Sequence, residues 1–488
     1  MKFRKLLSLG LAAVMALAVT ACGSTSSSSS SSDTPTSGSS ENPTSGTQTG
    51  ETRIINIGTW YLQYYDSSAD SVESDPSFTG DEAAYLKFDN VAKLEKKYNC
   101  KFYWKNLTYE GVIDSINTSI LAGTPDCDIY LVEAGMGIPA AVNGLVTDLK
   151  EVLPTDSDIF NDKVVMDYLD LGDGKAYLFF PVNAEAAVAA TYPLAFNKEM
   201  LQNAGLEDPR ELWDRGEWTW AKFLEYCKVL TKDTDGDGVD DQYGYCGFSK
   251  ETLQGLLFGN GTTLTAVKDG KMVENLTSSE VGEVLEFIQK LYIEEKVCYP
   301  YDSAEGAEPW NSMRLDAHTT NKVAFFPMAA WIADSTGDYK AGSETPLPFE
   351  TCYVPWPVGP SGDKETNAGK NLMSGAFYII PKGVEDPATV YNFIYDYFNW
   401  YDGDVTVRDN PETLQWWYSS TARSEEEQNN NFDVMYYCGT HGVIDPWDSV
   451  NVEMDLTSLI TGAITPSELQ ETYKLQYQDA LDTIFNAK

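Results

Sequence analysis

The spacing of apolar positions changes twice near the start of this chain, and each change marks a different kind of segment. Leu6 to Val19 is a run of fourteen apolar-rich residues, preceded by Lys2, Arg4 and Lys5 and followed by Thr20 and Ala21. A basic start, a short apolar run and small residues make a secretory signal, here too short for a membrane span of about 20 residues. Residues 23–52 carry no aliphatic side chain and are almost all Ser, Thr, Gly and Pro. Such a segment cannot offset its ordering entropy by burial, and as a coil of about 30 residues it spans roughly 30 Å. From Ile54 a third pattern begins. Ile54 to Trp60 predicts a strand, residues 61–82 a polar and acidic loop, and Glu82 to Tyr98 a helix. Cys100 to Trp104 predicts a second strand, and Asp126 to Val132 a third that ends at Glu133. Near the other end, Leu469, Tyr473, Leu481, Ile484 and Phe485 recur at helical spacing within Glu468 to Asn486, predicting a closing amphipathic helix. Strands alternating with helices predict an α/β fold.

Composition narrows the class. Cleavage before Cys22 would leave 467 residues, a length suited to two lobes. The net charge of −40 would become −43, because the signal holds three basic and no acidic residues. That charge repels nucleic acid and anionic lipid headgroups, so neither is an expected partner. Beyond Cys22 seven cysteines remain: Cys100, Cys127, Cys227, Cys246, Cys298, Cys352 and Cys438. They show no C-x-x-C pair and no even framework, and the expectation is buried thiols.

Two patterns point to chemistry. Asp233-Thr234-Asp235-Gly236-Asp237-Gly238-Val239-Asp240-Asp241 places oxygen donors at alternate positions around a glycine, as an EF-hand-type loop does. The expected ligands are Asp233, Asp235, Asp237, the Val239 carbonyl and Asp241, holding a structural Ca²⁺. Gly244 stands where the closing acid would be, and Asp and Gly in this density also make an ordinary solvated turn. The second pattern is aromatic: 12 Trp, 29 Tyr and 20 Phe. Sugar sites combine flat apolar platforms with a few orienting polar groups. Trp60 and Glu133 end strands, which is where ligands bind in open α/β sheets. Asn183, Trp310, Trp356, Trp416, Trp417 and Trp447 are further candidates, against core packing as the ordinary role of any one tryptophan. Trp220 is expected to pack at a helix start. Catalysis finds little support. The two histidines, His318 and His441, form no H-E-x-x-H, there is no G-x-S-x-G, and Gly362 to Asn371 has the wrong spacing for a phosphate loop.

Val19-Thr20-Ala21-Cys22 resembles the bacterial lipobox, which implies a lipid-acylated Cys22 at the outer face of the cell membrane. Further along, Asn143-Gly144-Leu145-Val146-Thr147-Asp148-Leu149, Ala195-Phe196-Asn197-Lys198-Glu199-Met200 with Asn203-Ala204-Gly205-Leu206, and Thr219-Trp220-Ala221-Lys222-Phe223 occur in that order. Asn321-Lys322-Val323-Ala324-Phe325 through Trp331, Pro355-Trp356-Pro357-Val358-Gly359-Pro360 and Ile380-Pro381-Lys382-Gly383 follow. Together these resemble bacterial extracellular solute-binding proteins of the sugar-importer, maltose-binding-protein-like type. Phe196 replaces the family's usual tyrosine, Asn321 its glycine, and Ala221-Lys222 its acidic pair.

The resemblance implies a two-lobed fold of the periplasmic-binding-protein type II class, with crossing strands at a hinge and a cleft that closes on a solute. By analogy residues 53–184 and 358–402 form the first lobe, and residues 185–357 and 403–488 the second. It places Trp331 toward the cleft and implies ABC permease subunits as partners of a monomer. The expected function is capture of a carbohydrate or oligosaccharide, without catalysis. A binder of peptides or another solute, and an anchored glycan-acting enzyme, are the alternatives.

Overall fold

The computed structural model describes residues 52–60, 65–75, 82–161, 166, 171, 173–180, 192–300, 319–328, 349–365, 377–401, 422–440, 445–450 and 452–486. In chain order these form β1 (Arg53–Thr59), α1 (Glu82–Tyr98), β2 (Cys100–Asn106), α2 (Tyr109–Ser115), β3 (Ile129–Val132) and α3 (Ala134–Val142). Next come β4 (Leu194–Asn197), α4 (Lys198–Asn203), α5 (Pro209–Asp214), α6 (Trp220–Leu230), β5 (Tyr243–Tyr245) and α7 (Ser249–Gly259). The hairpin β6 (Thr265–Lys268) and β7 (Lys271–Glu274) precedes α8 (Ser279–Gln289), β8 (Val323–Pro327) and β9 (Thr351–Val354). The chain ends with β10 (Phe377–Ile379), α9 (Pro387–Phe398), α10 (Glu425–Thr440), α11 (Leu456–Thr461) and α12 (Pro466–Ile484).

Two four-stranded sheets define two α/β lobes. The first has the order β10-β3-β1-β2, with β1 parallel to both neighbours and β10 antiparallel to β3. The second has the order β5-β8-β4-β9, with β4 antiparallel to β8 and β9. Each sheet is covered by apolar helix faces. Phe102, Ile57 and Leu131 pack with Phe393 and Ile394 of α9 in the first lobe, and Phe223, Phe325 and Leu256 pack with Trp218 in the second. The seven cysteines of the body are all buried.

Both sheets solve the problem of an open edge strand with side chains rather than with another strand. On β2, Ser67 N donates to Phe102 O (3.1 Å), Phe102 N donates to Ser67 Oγ (2.9 Å), and Trp104 N donates to Asp66 Oδ2 (3.0 Å). The described part of the polar loop predicted over 61–82 is therefore an edge cover. On β9, fully buried Asn431 accepts from Tyr353 N (2.8 Å) and donates to Thr351 O (2.9 Å). A charged cluster fixes the start of the same helix. Glu427 lies 2.5 Å from both Lys198 Nζ and Arg210 Nη1, and Lys198 also reaches Glu350 (3.4 Å). Burial pushes Glu427 up, but the hydrogen bonds from Arg210 and Lys198 outweigh it and hold the carboxyl near pKa 2.

Three expectations change. The strand predicted from Asp126 begins at Ile129, because Asp126 accepts from Ser115 Oγ (2.7 Å) and Asp128 from Asn56 N (2.9 Å) and Arg53 Nη2 (3.0 Å). Residues 358–364, assigned by analogy to the first lobe, sit on the second. Val358 N donates to Trp218 O (2.9 Å), Gly359 N to Gly259 O (2.8 Å) and Lys364 Nζ to Asp214 O (3.0 Å). Third, Trp356 is a core residue rather than a cleft platform. It is 1% exposed, its Nε1 donates to Tyr192 O (2.6 Å), and its ring lies against Gly255, where a Cβ would come within 2.1 Å. Asn321, in the place of the family's glycine, has φ of 63°, the left-handed region that Gly and Asn tolerate best.

Candidate functional site

The parallel strands β1 and β3 point their carboxyl ends the same way, and two predicted residues stand just beyond them. Trp60 follows Thr59, and Glu133 follows Val132. Leu107 N donates to Thr59 O (2.8 Å), which extends the β1–β2 ladder past Asn106 and delivers α2 to the same edge. Thr108 caps α2 with a positive φ of 66°, accepting from Gly111 N (3.3 Å), and the helix starts at Tyr109. Tyr109 is 41% exposed. Its ring meets Trp60 edge-to-face, with centroids 6.0 Å apart and planes at 70°.

Glu133 is the N-cap of α3, yet its carboxylate caps no amide of that helix. It accepts instead from the Tyr109 hydroxyl at 2.9 Å, while its backbone carbonyl accepts from Met136 N and Gly137 N. The negative charge stands at the positive end of α3, which stabilises it. Trp60, Tyr109 and Glu133 thus gather, half-buried to exposed, with Tyr109 joining the Trp60 ring to an oriented carboxylate. That arrangement can cover an apolar ring face and accept hydrogen bonds from hydroxyls.

Tyr109 is absent from the sequence-derived candidates. Its signal was a cap residue, Thr108, two positions after the end of a strand. Asn183, Trp310, Trp331, Trp416 and Trp417 lie outside the described residues. Trp220 is buried, stacked on Phe287 at 4.5 Å with planes 6° apart, as expected for a helix start. Trp447 also belongs to the second-lobe core.

The acidic loop forms a separate feature between α6 and β5, closed at its neck by the bridge from Lys232 to Gln242. Carboxylate oxygens of Asp233, Asp235 and Asp237 come within 4.8 Å of one another. Asp233 accepts from Gly238 N (2.8 Å) and Gly236 N (2.6 Å), which hold its carboxyl below the usual range. Gly236 and Gly238 have φ of 83° and 92°, so only glycine fits either turn without strain. Asp241 accepts from Thr234 N (3.1 Å) and Oγ1 (2.6 Å), and Val239 is exposed.

A family model described as bacterial extracellular solute-binding protein matches residues 90–400, more than half of the chain and parts of both lobes, and the chain belongs to that family. Among curated proteins, none matches it in sequence. Solved structures share the fold at low identity. The ABC substrate-binding protein Lmo0181 from Listeria monocytogenes, in complex with cycloalternan, is 13% identical with a TM-score of 0.57, covering 88% of this chain and 98% of that one. The maltose/maltodextrin-binding domain MalE from Bdellovibrio bacteriovorus, bound to maltotriose, is 16% identical with a TM-score of 0.53, covering 87% and 99%. UgpB from Mycobacterium tuberculosis, in complex with glycerophosphocholine, is 17% identical with a TM-score of 0.56, covering 82% and 96%.

Proposed function

We propose that this protein captures a carbohydrate or oligosaccharide between its lobes and presents it to the permease subunits of an ABC importer, as a binder without catalysis. The observation that carries the reading is the Trp60–Tyr109–Glu133 group at the carboxyl edge of the first sheet. Aromatic faces supply apolar burial for sugar C–H surfaces, and the carboxylate orients hydroxyls. Cycloalternan and maltotriose in two structural neighbours agree with that chemistry. The net charge of −40 and the carboxylate in the site disfavour an anionic solute. Binding drives closure only to the extent that the closed form holds the solute better than the open one, and a micromolar Kd, about −8 kcal/mol, suffices for capture.

Acylation of Cys22 would tether the body to the outer face of the membrane through the Ser/Thr/Gly-rich segment, leaving a monomer free to dock. Asp233, Asp235, Asp237 and the Val239 carbonyl would hold a structural Ca²⁺, without the expected Asp241, whose carboxylate accepts from Thr234 instead of joining the three. Three convergent carboxylates fit such a hard cation, with water completing its six to eight oxygens. The ion would stiffen the loop between α6 and β5 and take no part in solute binding.

A thermal-shift panel of mono- and oligosaccharides, short peptides and glycerophosphodiesters tests the function. A solute at 100 times its Kd stabilises by about 2.7 kcal/mol, a visible rise in melting temperature. A rise with one glycan class, the glycan recovered unchanged, is expected. A rise only with peptides or phosphodiesters would refute the carbohydrate reading.

A further inference from the structure

The lobes touch through α3 of the first and two elements of the second. On its outer side α3 packs against the turn Pro446–Ser449 and against the end of α12, both parts of the second lobe. Ala134, Ala140 and Ala141 on α3 are small and buried. Ile484 and Phe485 pack against the first-lobe core that includes Met136 and Ile138, and also against the second-lobe core.

Their position is set from the second lobe. Asn486 Nδ2 donates to Met272 O (2.7 Å) and its Oδ1 accepts from Met272 N (3.1 Å), so the side chain pairs with β7 as a strand residue would. Two turns earlier, Gln478 Oε1 accepts from Glu274 N (2.9 Å). The facing turn is fixed too, with Asp445 accepting from Trp447 N (3.1 Å) and from Leu264 N.

We propose that the last turn of α12 is an apolar strut that sets the angle between the lobes in the solute-free protein. Ile484 and Phe485, clamped to β7 through Asn486, bear on α3. A rotation of one lobe about the connecting segments must slide or uncover this contact, at a cost proportional to the apolar area exposed. Because Glu133 directly precedes α3, the strut also fixes where that carboxylate stands relative to the second lobe. The inference rests on the packing of the two lobes and not on the class of solute.

Spin labels on Lys96→Cys and Glu211→Cys, exposed helix positions in the first and second lobes, test it in the full chain carrying Cys22→Ser. The seven remaining thiols are buried and leave the labels selective. The parent protein should show one narrow interlobe distance without any solute. Phe485→Ala should broaden that distribution and shift its mean, and Asn486→Ala, which frees the clamp but keeps the apolar side chains, should do so to a lesser degree. A folded Phe485→Ala protein with a distribution superimposable on the parent would overturn the strut. Should Phe485→Ala fail to fold by circular dichroism, the distribution of Asn486→Ala decides in the same way.

Discussion

The Tyr109 hydroxyl donates to the Glu133 carboxylate at 2.9 Å, joining the first residue of α2 to the residue that ends β3. The Glu133 carboxylate caps no amide of α3, and the tyrosine that holds it packs its ring edge-to-face on Trp60. A flexible acid at a strand end thereby becomes an acceptor oriented by a tyrosine hydroxyl.

Tyr109→Phe keeps the ring beside Trp60 and removes only the donor. Solute affinity should fall on the order of tenfold, the worth of one hydrogen bond to a charged group, with little change in melting temperature. Calorimetric titration of the two proteins measures the difference.

Acid should weaken the second lobe through Glu427. Its folded pKa of about 2 lies below the ordinary 4.5, so the stability it contributes is complete above about 4.5 and is lost as pH falls toward 2. The shift corresponds to about 3 kcal/mol, and the 6% exposure of the side chain leaves little screening by solvent. Urea unfolding from pH 6 to 2.5 should show the gap between parent and Glu427→Gln closing over that window.

Asn431→Ala should cost roughly 2–4 kcal/mol. It leaves the Tyr353 amide and the Thr351 carbonyl of an edge strand buried without their partner. Chemical denaturation measures the loss, and Asn431→Asp, whose carboxylate accepts from Tyr353 N but has no donor for the Thr351 carbonyl, should not recover it at neutral pH.

Calcium at saturating concentration should raise the melting temperature of the parent, and a chelator should reverse the rise. Asp235→Asn removes one of the three convergent carboxylates and should abolish the response while leaving solute affinity unchanged. An equal response in parent and variant would remove the cation from the account.

Much of the first lobe was legible because its signals are local. β-branched runs stop at Thr59 and Val132, and the helical spacing of α1 is unbroken, so Trp60 and Glu133 could be placed at strand ends in advance. Tyr109 could not. It is one of 29 tyrosines, and its place beside Trp60 follows from a positive φ at Thr108 and from Leu107 pairing with Thr59. Trp356 read as a cleft aromatic because nothing nearby in the chain reveals Gly255, a hundred residues earlier, as the gap that receives its ring. Asn431 and Asp66 are equally opaque, since polar residues that complete sheet edges look like surface residues until the edge is known. In each case the deciding partner is distant in sequence.

The most direct test of the central claim is calorimetric titration of the parent and of Trp60→Ala with the saccharide that gives the largest thermal shift. The account predicts a Kd near micromolar for the parent, weakened by roughly ten- to hundredfold when the aromatic platform is removed. Equal affinity in the two proteins, or tight binding of a non-carbohydrate solute with none of any glycan, would contradict it.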